Sequence, residues 1–290
     1  MNVVPFIIAG LVIGSVYALS GVGVLVLYRT SGVLNFAHGA IGALAAMTAW
    51  QFIGQRMQPS LAIALGIVIA AAAAFLFGLL AGPFLARIDE LRKATATLGL
   101  ALVLLGVMLF TWNDKARTMN LESSQIAFSL PGGRINLTQL ICIALAILVI
   151  VGTSLALART SAGTAMRALA SDRDLAAVLG TNVRSVELTA WTVSGAIAGV
   201  SGILLADQTR LEPAFLTFLI IPILATVVIG RFRSLWLAFF GGLGIGLLQS
   251  LVSANPVTSA FSTAVPFVIA TIVILISRRR RFIAISAVRA

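Results

Sequence analysis

Uncharged apolar runs of about 16 to 26 residues recur nine times along the chain, close to the roughly 20 residues a helix needs to cross a bilayer. They lie at Val3–Tyr28, Val33–Ile53, Leu61–Ala86, Ala94–Trp112, Leu137–Ala158, Leu188–Ala206, Phe215–Gly230, Leu235–Ala254 and Ala260–Ile276. This pattern predicts an all-α integral membrane protein: a polytopic helical bundle of about nine (eight to ten) transmembrane helices, forming one domain over residues 1–290. Only four residues separate Tyr28 from Val33, so either a tight turn or a half-crossing fits there. Pro222 sits well inside the seventh run and leaves a carbonyl one turn earlier without its amide, which predicts a kink near Phe218.

Two polar segments are long enough to have structure of their own. Asn113–Asn136 carries Leu130-Pro131-Gly132-Gly133-Arg134, a turn signal, and is expected to fold as a small cap. Arg159–Glu187 is the charged stretch around which the chain is organised, and its centre specifies a short helix. Ser171 is placed to cap the amide of Asp174, and Asp174 to reach back from the third helical position. Gly180 ends the helix, because glycine takes the left-handed conformation cheaply. Leu175, Val178 and Leu179 then share one face, and about eight residues are too few to hold a helix in water without something to lie against.

Composition supports the membrane reading: 60% of the 290 residues are hydrophobic and 10% charged, against roughly 25% charged in soluble domains. The net charge of +11 is explained by position. With the C-terminus in the cytoplasm and the runs alternating, fifteen Lys and Arg fall inside and five outside. Inside are Arg29; Arg87, Arg92 and Lys93; Arg159, Arg167, Arg173 and Arg184; Arg231 and Arg233; and the five arginines after Ser277. That bias predicts an N-terminus outside, a C-terminus inside and no nucleic-acid partner. The N-terminal run lacks a basic n-region and reads as a retained span. The single cysteine, Cys142, excludes a disulfide within the chain and reads as a small hydrophobe.

No Asp, Glu, Lys or Arg lies in any of the nine runs, which disfavours a carrier driven by its own ion gradient. The tightest polar group is Asn35-Phe36-Ala37-His38-Gly39. Either Asn35 and His38 bond to nearby backbone and fix a helix start, or they mark a discontinuous helix beside a translocation path. His38 is the only histidine, so neither a catalytic pair nor a multi-histidine metal site can form. Glycines at four-residue spacing (Gly10 and Gly14, Gly78 and Gly82, Gly195 and Gly199, Gly242 and Gly246) predict close helix packing. The chain lacks a phosphate-binding Gly-rich loop ending in Lys-Ser/Thr, so it cannot be its own P-loop ATPase.

Four segments carry a resemblance: Gly14-Ser15-Val16-Tyr17-Ala18-Leu19, Asn35-Phe36-Ala37-His38-Gly39, Ala94-Thr95-Ala96-Thr97-Leu98-Gly99-Leu100, and Arg167-Ala168-Leu169-Ala170-Ser171-Asp172 continuing to Leu179-Gly180-Thr181-Asn182. In order and spacing the chain resembles the LivH-type permeases of branched-chain amino acid ABC importers. The resemblance implies a multi-pass permease subunit of the cell membrane (the bacterial inner or plasma membrane) that pairs with a second, related permease, with a homodimer as the variant. Two cytoplasmic ABC ATPases would bind the ATP, so the chain itself needs no cofactor, and an extracytoplasmic solute-binding protein would deliver substrate. It also implies that Ser171, Asp172, Asp174, Leu175, Val178, Leu179 and Gly180 form an ATPase-coupling helix. Asn35, His38, Gly39 and Tyr17 are candidates for the path.

Two departures stand out: Ala40 where the family often has an acid after His-Gly, and Arg231-Phe232-Arg233 where it tends to be glycine-rich. Relatives import urea, short amides or aromatic acids as well as branched-chain amino acids. From the residues alone, a self-sufficient channel or facilitator for a small neutral solute and a membrane anchor for a soluble complex remain open.

Overall fold

The computed structural model describes residues 3–86, 88–119, 121–130 and 133–275. Eleven helices and one hairpin follow in order, with α1 Val4–Ser31, α2 His38–Gly54, α3 Pro59–Leu85 and α4 Glu90–Trp112 before the hairpin β1 Ala127–Leu130 and β2 Gly133–Asn136. After it come α5 Leu137–Arg159, α6 Ser161–Ser171, α7 Arg173–Val178, α8 Val183–Gln208, α9 Pro213–Phe218, α10 Ile220–Ile229 and α11 Leu235–Ser253. A last apolar helical stretch, Ser259–Leu275, opens as a 3₁₀ turn. Among the described residues, six helices (α1, α3, α4, α5, α8 and α11) are long and apolar enough to cross a membrane. The remaining three apolar runs appear as the shorter α2, the α9–α10 pair and Ser259–Leu275. The basic C-terminal segment that anchors the charge count lies outside the described residues.

The bundle is built around α1, whose apolar window is 89% buried, whereas α4 and α5 bury 17% of theirs and α3 22%. Small residues make that centre possible. α11 runs antiparallel to α1 with Gly242 and Gly246 against Ala18 and Gly14, so close that a Cβ on Gly246 would overlap the Gly14 backbone. Ser250 Oγ fastens the far end by donating to the Phe6 carbonyl at 2.7 Å. Gly195 and Gly199 set α8 against Ala70, Ala71 and Ala74 of α3 in the same way, and Gly202 of α8 meets Gly42 of α2 backbone to backbone. The predicted close packing is therefore present at three of the four glycine pairs. In the fourth, Gly78 faces the Trp191 ring and Gly82 faces open space.

Two expectations about element boundaries change and a third is met. Residues 33–37, apolar enough to read as helix, are not helical, and α2 starts at His38. At 17 residues α2 spans about 25 Å, short of a full hydrocarbon core. The charged 159–187 segment holds two helices, not one, since Ser161–Ser171 forms α6 before the chain turns at Asp172. The break expected from Pro222 does occur, at Leu219, between α9 and α10.

The segment after α4 is tied to the end of α8, the link after it and the start of α9. Arg117 and Leu211 form an antiparallel bridge, the Leu121 amide donates to Asp207 Oδ1 at 3.0 Å, and the Ala214 amide to Asp114 Oδ1 at 3.3 Å. Arg117 also stacks over the Trp50 ring near the end of α2. The hairpin returns into α5 through a capping box in which Asn136 Oδ1 accepts from the Gln139 amide and Gln139 Oε1 accepts from the Asn136 amide.

Candidate functional site

The elbow between α6 and α7 is built by local hydrogen bonds. α6 starts at Thr160, whose hydroxyl oxygen accepts from the Gly163 amide, and packs back on α5, where Gly163 abuts Ala156 and Leu157. Ser171 is its last residue and caps nothing. The N-cap of α7 is Asp172, whose Oδ1 accepts from the amides of both Asp174 and Leu175 at 3.0 Å. The expected Ser171–Asp174 capping box is thus replaced by a single aspartate one residue on, because Ser171 is already committed to the turn of α6.

The other end forms as expected. The Gly180 amide donates to Ala177 O and the Thr181 amide to Ala176 O, both at 3.0 Å, with Gly180 at φ +89°. These are the two bonds of a Schellman motif, which needs a residue at positive φ just after the helix. Arg173 makes an ion pair with Glu187 at 3.0 Å, fixing the start of α7 to α8. Of the α7 side chains only Ala176 is buried; Leu175, Val178 and Leu179 are 55%, 84% and 76% exposed. α7 is thus a six-residue helix with both ends satisfied and its apolar face bare.

The second group forms where α2 begins. Asn35 Oδ1 accepts from the Ala37 amide at 3.0 Å, a local turn that starts the helix. Thr97 of α4 secures the strand of backbone before it, its Oγ1 accepting from the Phe36 amide at 3.2 Å and lying 2.9 Å from the Leu34 carbonyl oxygen. Two segments 60 residues apart in the sequence, around Asn35 and around Thr97, therefore make one junction. Gly39 is required there, since a Cβ would land on the Thr217 carbonyl oxygen of α9.

His38 behaves differently from Asn35. It is fully buried, and neither ring nitrogen has a hydrogen-bond partner among the described residues; the same holds for Asn35 Nδ2, Ser20 Oγ and Ser194 Oγ. His38, Ser20 and Ser201 line one small internal cavity between α1, α2 and α8. Tyr17, also a candidate, is buried in α1 but does not line that cavity. Neither Ser20 nor Ser201 carries a sequence signal, because they lie in separate helices that only packing brings together.

A third feature had no counterpart in the pattern of runs. On the α6–α7 side of the bundle, the end of α1, α6 with the first residue of α7, and the turn before α11 enclose an open cleft of about 740 Å³. Arg29, Arg167, Arg173 and Arg233 line it, with Tyr28 and Phe232 whose rings stand 5.0 Å apart. The turn that delivers Phe232 and Arg233 uses two non-glycine residues at positive φ, Arg231 at 53° and Phe232 at 57°. Their amides close the end of α10 on Val228 O and Val227 O. Gly230 stays glycine for another reason: a Cβ there would come within 2.8 Å of Ala238 Cβ.

Comparison with known proteins agrees with this architecture. Residues 6–277 match the family described as branched-chain amino acid transport system / permease component. A probable branched-chain amino acid transport permease protein LivH of Methanocaldococcus jannaschii is 30% identical over 262 residues, 87% of this chain and 82% of its own. The high-affinity branched-chain amino acid transport system permease protein BraD of Pseudomonas aeruginosa is 26% identical, covering 84% of each chain. The corresponding LivH of Escherichia coli K12 is 26% identical over 92% of this chain and 91% of its own. With a match over nearly the whole length, the chain belongs to the LivH-type branched-chain amino acid transport permease family: it is a multi-pass membrane permease component of an ABC transport system and not itself an ATPase.

Proposed function

We propose that this permease carries branched-chain or other hydrophobic amino acids, or a related small solute, inward across the membrane, driven by ATPases that dock on α7. A permease component of such a system works with ATPase and binding-protein partners in general. The finer arrangement proposed is a second permease beside this one, two cytoplasmic ATPases, and an extracytoplasmic binding protein on the face formed by 113–136 and the 207–213 segment. The topology proposed is nine crossings with the N-terminus outside and the C-terminus inside, within one domain over residues 1–290. The bonding of Asp114, Arg117 and Leu121 to the segment after α8 supports placing both segments on one side.

The observation that carries the reading is α7 itself, a fully capped helix whose Leu175, Val178 and Leu179 remain bare. Asp172 and Gly180 set its two ends, Asp174 lies in its first turn and Ser171 closes the helix before it. Asn35, His38 and Gly39 are proposed to lie beside the path. The broken α9–α10 pair against the start of α2 gives that place two helix ends at depth. Reconstitution in proteoliposomes tests the proposal. Uptake of labelled leucine, isoleucine or valine should require the second permease, both ATPases, ATP and the binding protein. Solute flux through the chain alone, without ATP, would replace it with a channel.

A further inference from the structure

The cleft beside α7 holds an excess of unpaired positive charge. Arg173 is matched by Glu187, but Arg29, Arg167 and Arg233 pair with no carboxylate among the described residues. The acids nearby are already engaged or stand to one side. Asp172 is turned to cap α7, and Glu90 acts on Tyr28 from outside the lining. Lys93 adds to the positive side near Gly32. Three unpaired arginines, Arg29, Arg167 and Arg233, brought to one opening beside the paired Arg173, repel one another unless an anion joins them. The opening is wide enough to admit side chains from a folded partner.

We infer that this cleft receives acidic side chains of the ATPase, so that the permease–ATPase contact has two parts: the apolar face of α7 and a basic socket next to it. The inference rests on the docking of the ATPase at α7. Position argues for a protein occupant over a lipid headgroup. The cleft is lined by the end of α1, by α6, the start of α7 and the turn before α11, and by nothing from α3, α4 and α5, the long helices whose apolar windows are least buried. Arg173 belongs to both parts, lying at the start of α7 and in the cleft wall. Arginine suits the role, since its planar fork meets a carboxylate with two parallel hydrogen bonds.

The test uses the intact permease pair in nanodiscs of neutral lipid, titrated with the purified partner ATPase at salt from 50 to 500 mM. The double variant Arg29→Gln/Arg233→Gln removes two positive charges and keeps a polar, hydrogen-bonding side chain at each position. At 50 mM salt it should bind the ATPase about tenfold more weakly than wild type, and the two should converge by 500 mM, as charges that steer and hold an interface do. Val178→Asp should lose binding at every salt concentration, which separates the socket from the apolar face. Equal affinity and equal salt dependence for wild type and the double variant would overturn the socket while leaving docking at α7 intact. A loss of ATPase binding that appears only in nanodiscs containing anionic lipid, and not in neutral ones, would assign the cleft to lipid and overturn the inference as well. The thermal midpoint of the double variant alone, unchanged from wild type, verifies that the permease is folded.

Discussion

Val178 offers the sharpest measurement on the proposed ATPase contact, because it is nearly free in the permease alone. It is 84% exposed, so replacing it should change the stability of the permease by no more than about 0.5 kcal/mol. If α7 seats in a groove, the same side chain becomes buried. Full burial of a valine stabilises by roughly 1.5 to 3 kcal/mol, and the exposed share here corresponds to about 1.5 kcal/mol of it. Val178→Ala removes two methyls and should weaken ATPase binding about fivefold, near 1 kcal/mol. Val178→Asp forfeits the same burial and places a carboxylate without a partner in an apolar groove, a further cost of several kcal/mol, so binding should fall more than a hundredfold. The assay is titration of the ATPase onto the permease with stimulated ATP hydrolysis read in parallel. Ala176→Asp is the contrasting case, since Ala176 is buried in the elbow and its replacement should lower the melting temperature of the permease itself. Val178→Asp binding and stimulating within twofold of wild type would refute the coupling role of this face.

Asp172→Ala removes the acceptor for two amides and should cost α7 about 1 kcal/mol, seen as roughly fivefold faster amide exchange over residues 173–178, whereas Asp172→Asn should hold near wild type. Gly39→Ala puts a methyl on the Thr217 carbonyl and should destabilise the bundle by about 1 to 3 kcal/mol in thermal unfolding, while Gly82→Ala, in open space, should not. At position 231, held at φ 53°, the order of stability should be Gly above Arg above Val, with Arg231→Val costing about 1 kcal/mol; a valine variant as stable as wild type would show that the turn relaxes.

The elements that were legible in the sequence are those whose cause is local. An apolar run long enough to cross a bilayer, a proline inside it, or a glycine just past a short helix each carries its consequence within one or two turns, and α3, the break at Leu219 and Gly180 follow. The capping of α7 was legible only as a class. Ser171 and Asp172 are both good caps, and the choice fell to Asp172 because α6, which the pattern of runs does not announce, occupies Ser171. The start of α2 escaped for a longer-range reason. Val33 to Ala37 are apolar apart from Asn35, and what keeps them from continuing as helix is the Asn35 turn together with Thr97, a contact across more than 60 residues.

Charge shows the same limit more plainly. Counted loop by loop, the arginines of the segments proposed to be cytoplasmic say only which side of the membrane each segment faces. Nothing in that count distinguishes Arg92, which pairs with Asp89 at 3.3 Å, from Arg29, Arg167 and Arg233, which pair with no acid among the described residues. Folding separates the two kinds. α1 ends beside α6, and the strained turn after α10 swings Phe232 onto Tyr28 and brings Arg233 to the same opening, so charges from distant segments share one cleft. A purely topological signal has no need of that convergence, since arginines scattered over the inner face would orient the chain equally well. Holding Arg231 and Phe232 at positive φ to deliver Arg233 costs on the order of 1 to 3 kcal/mol each, a cost that the proposed socket accounts for.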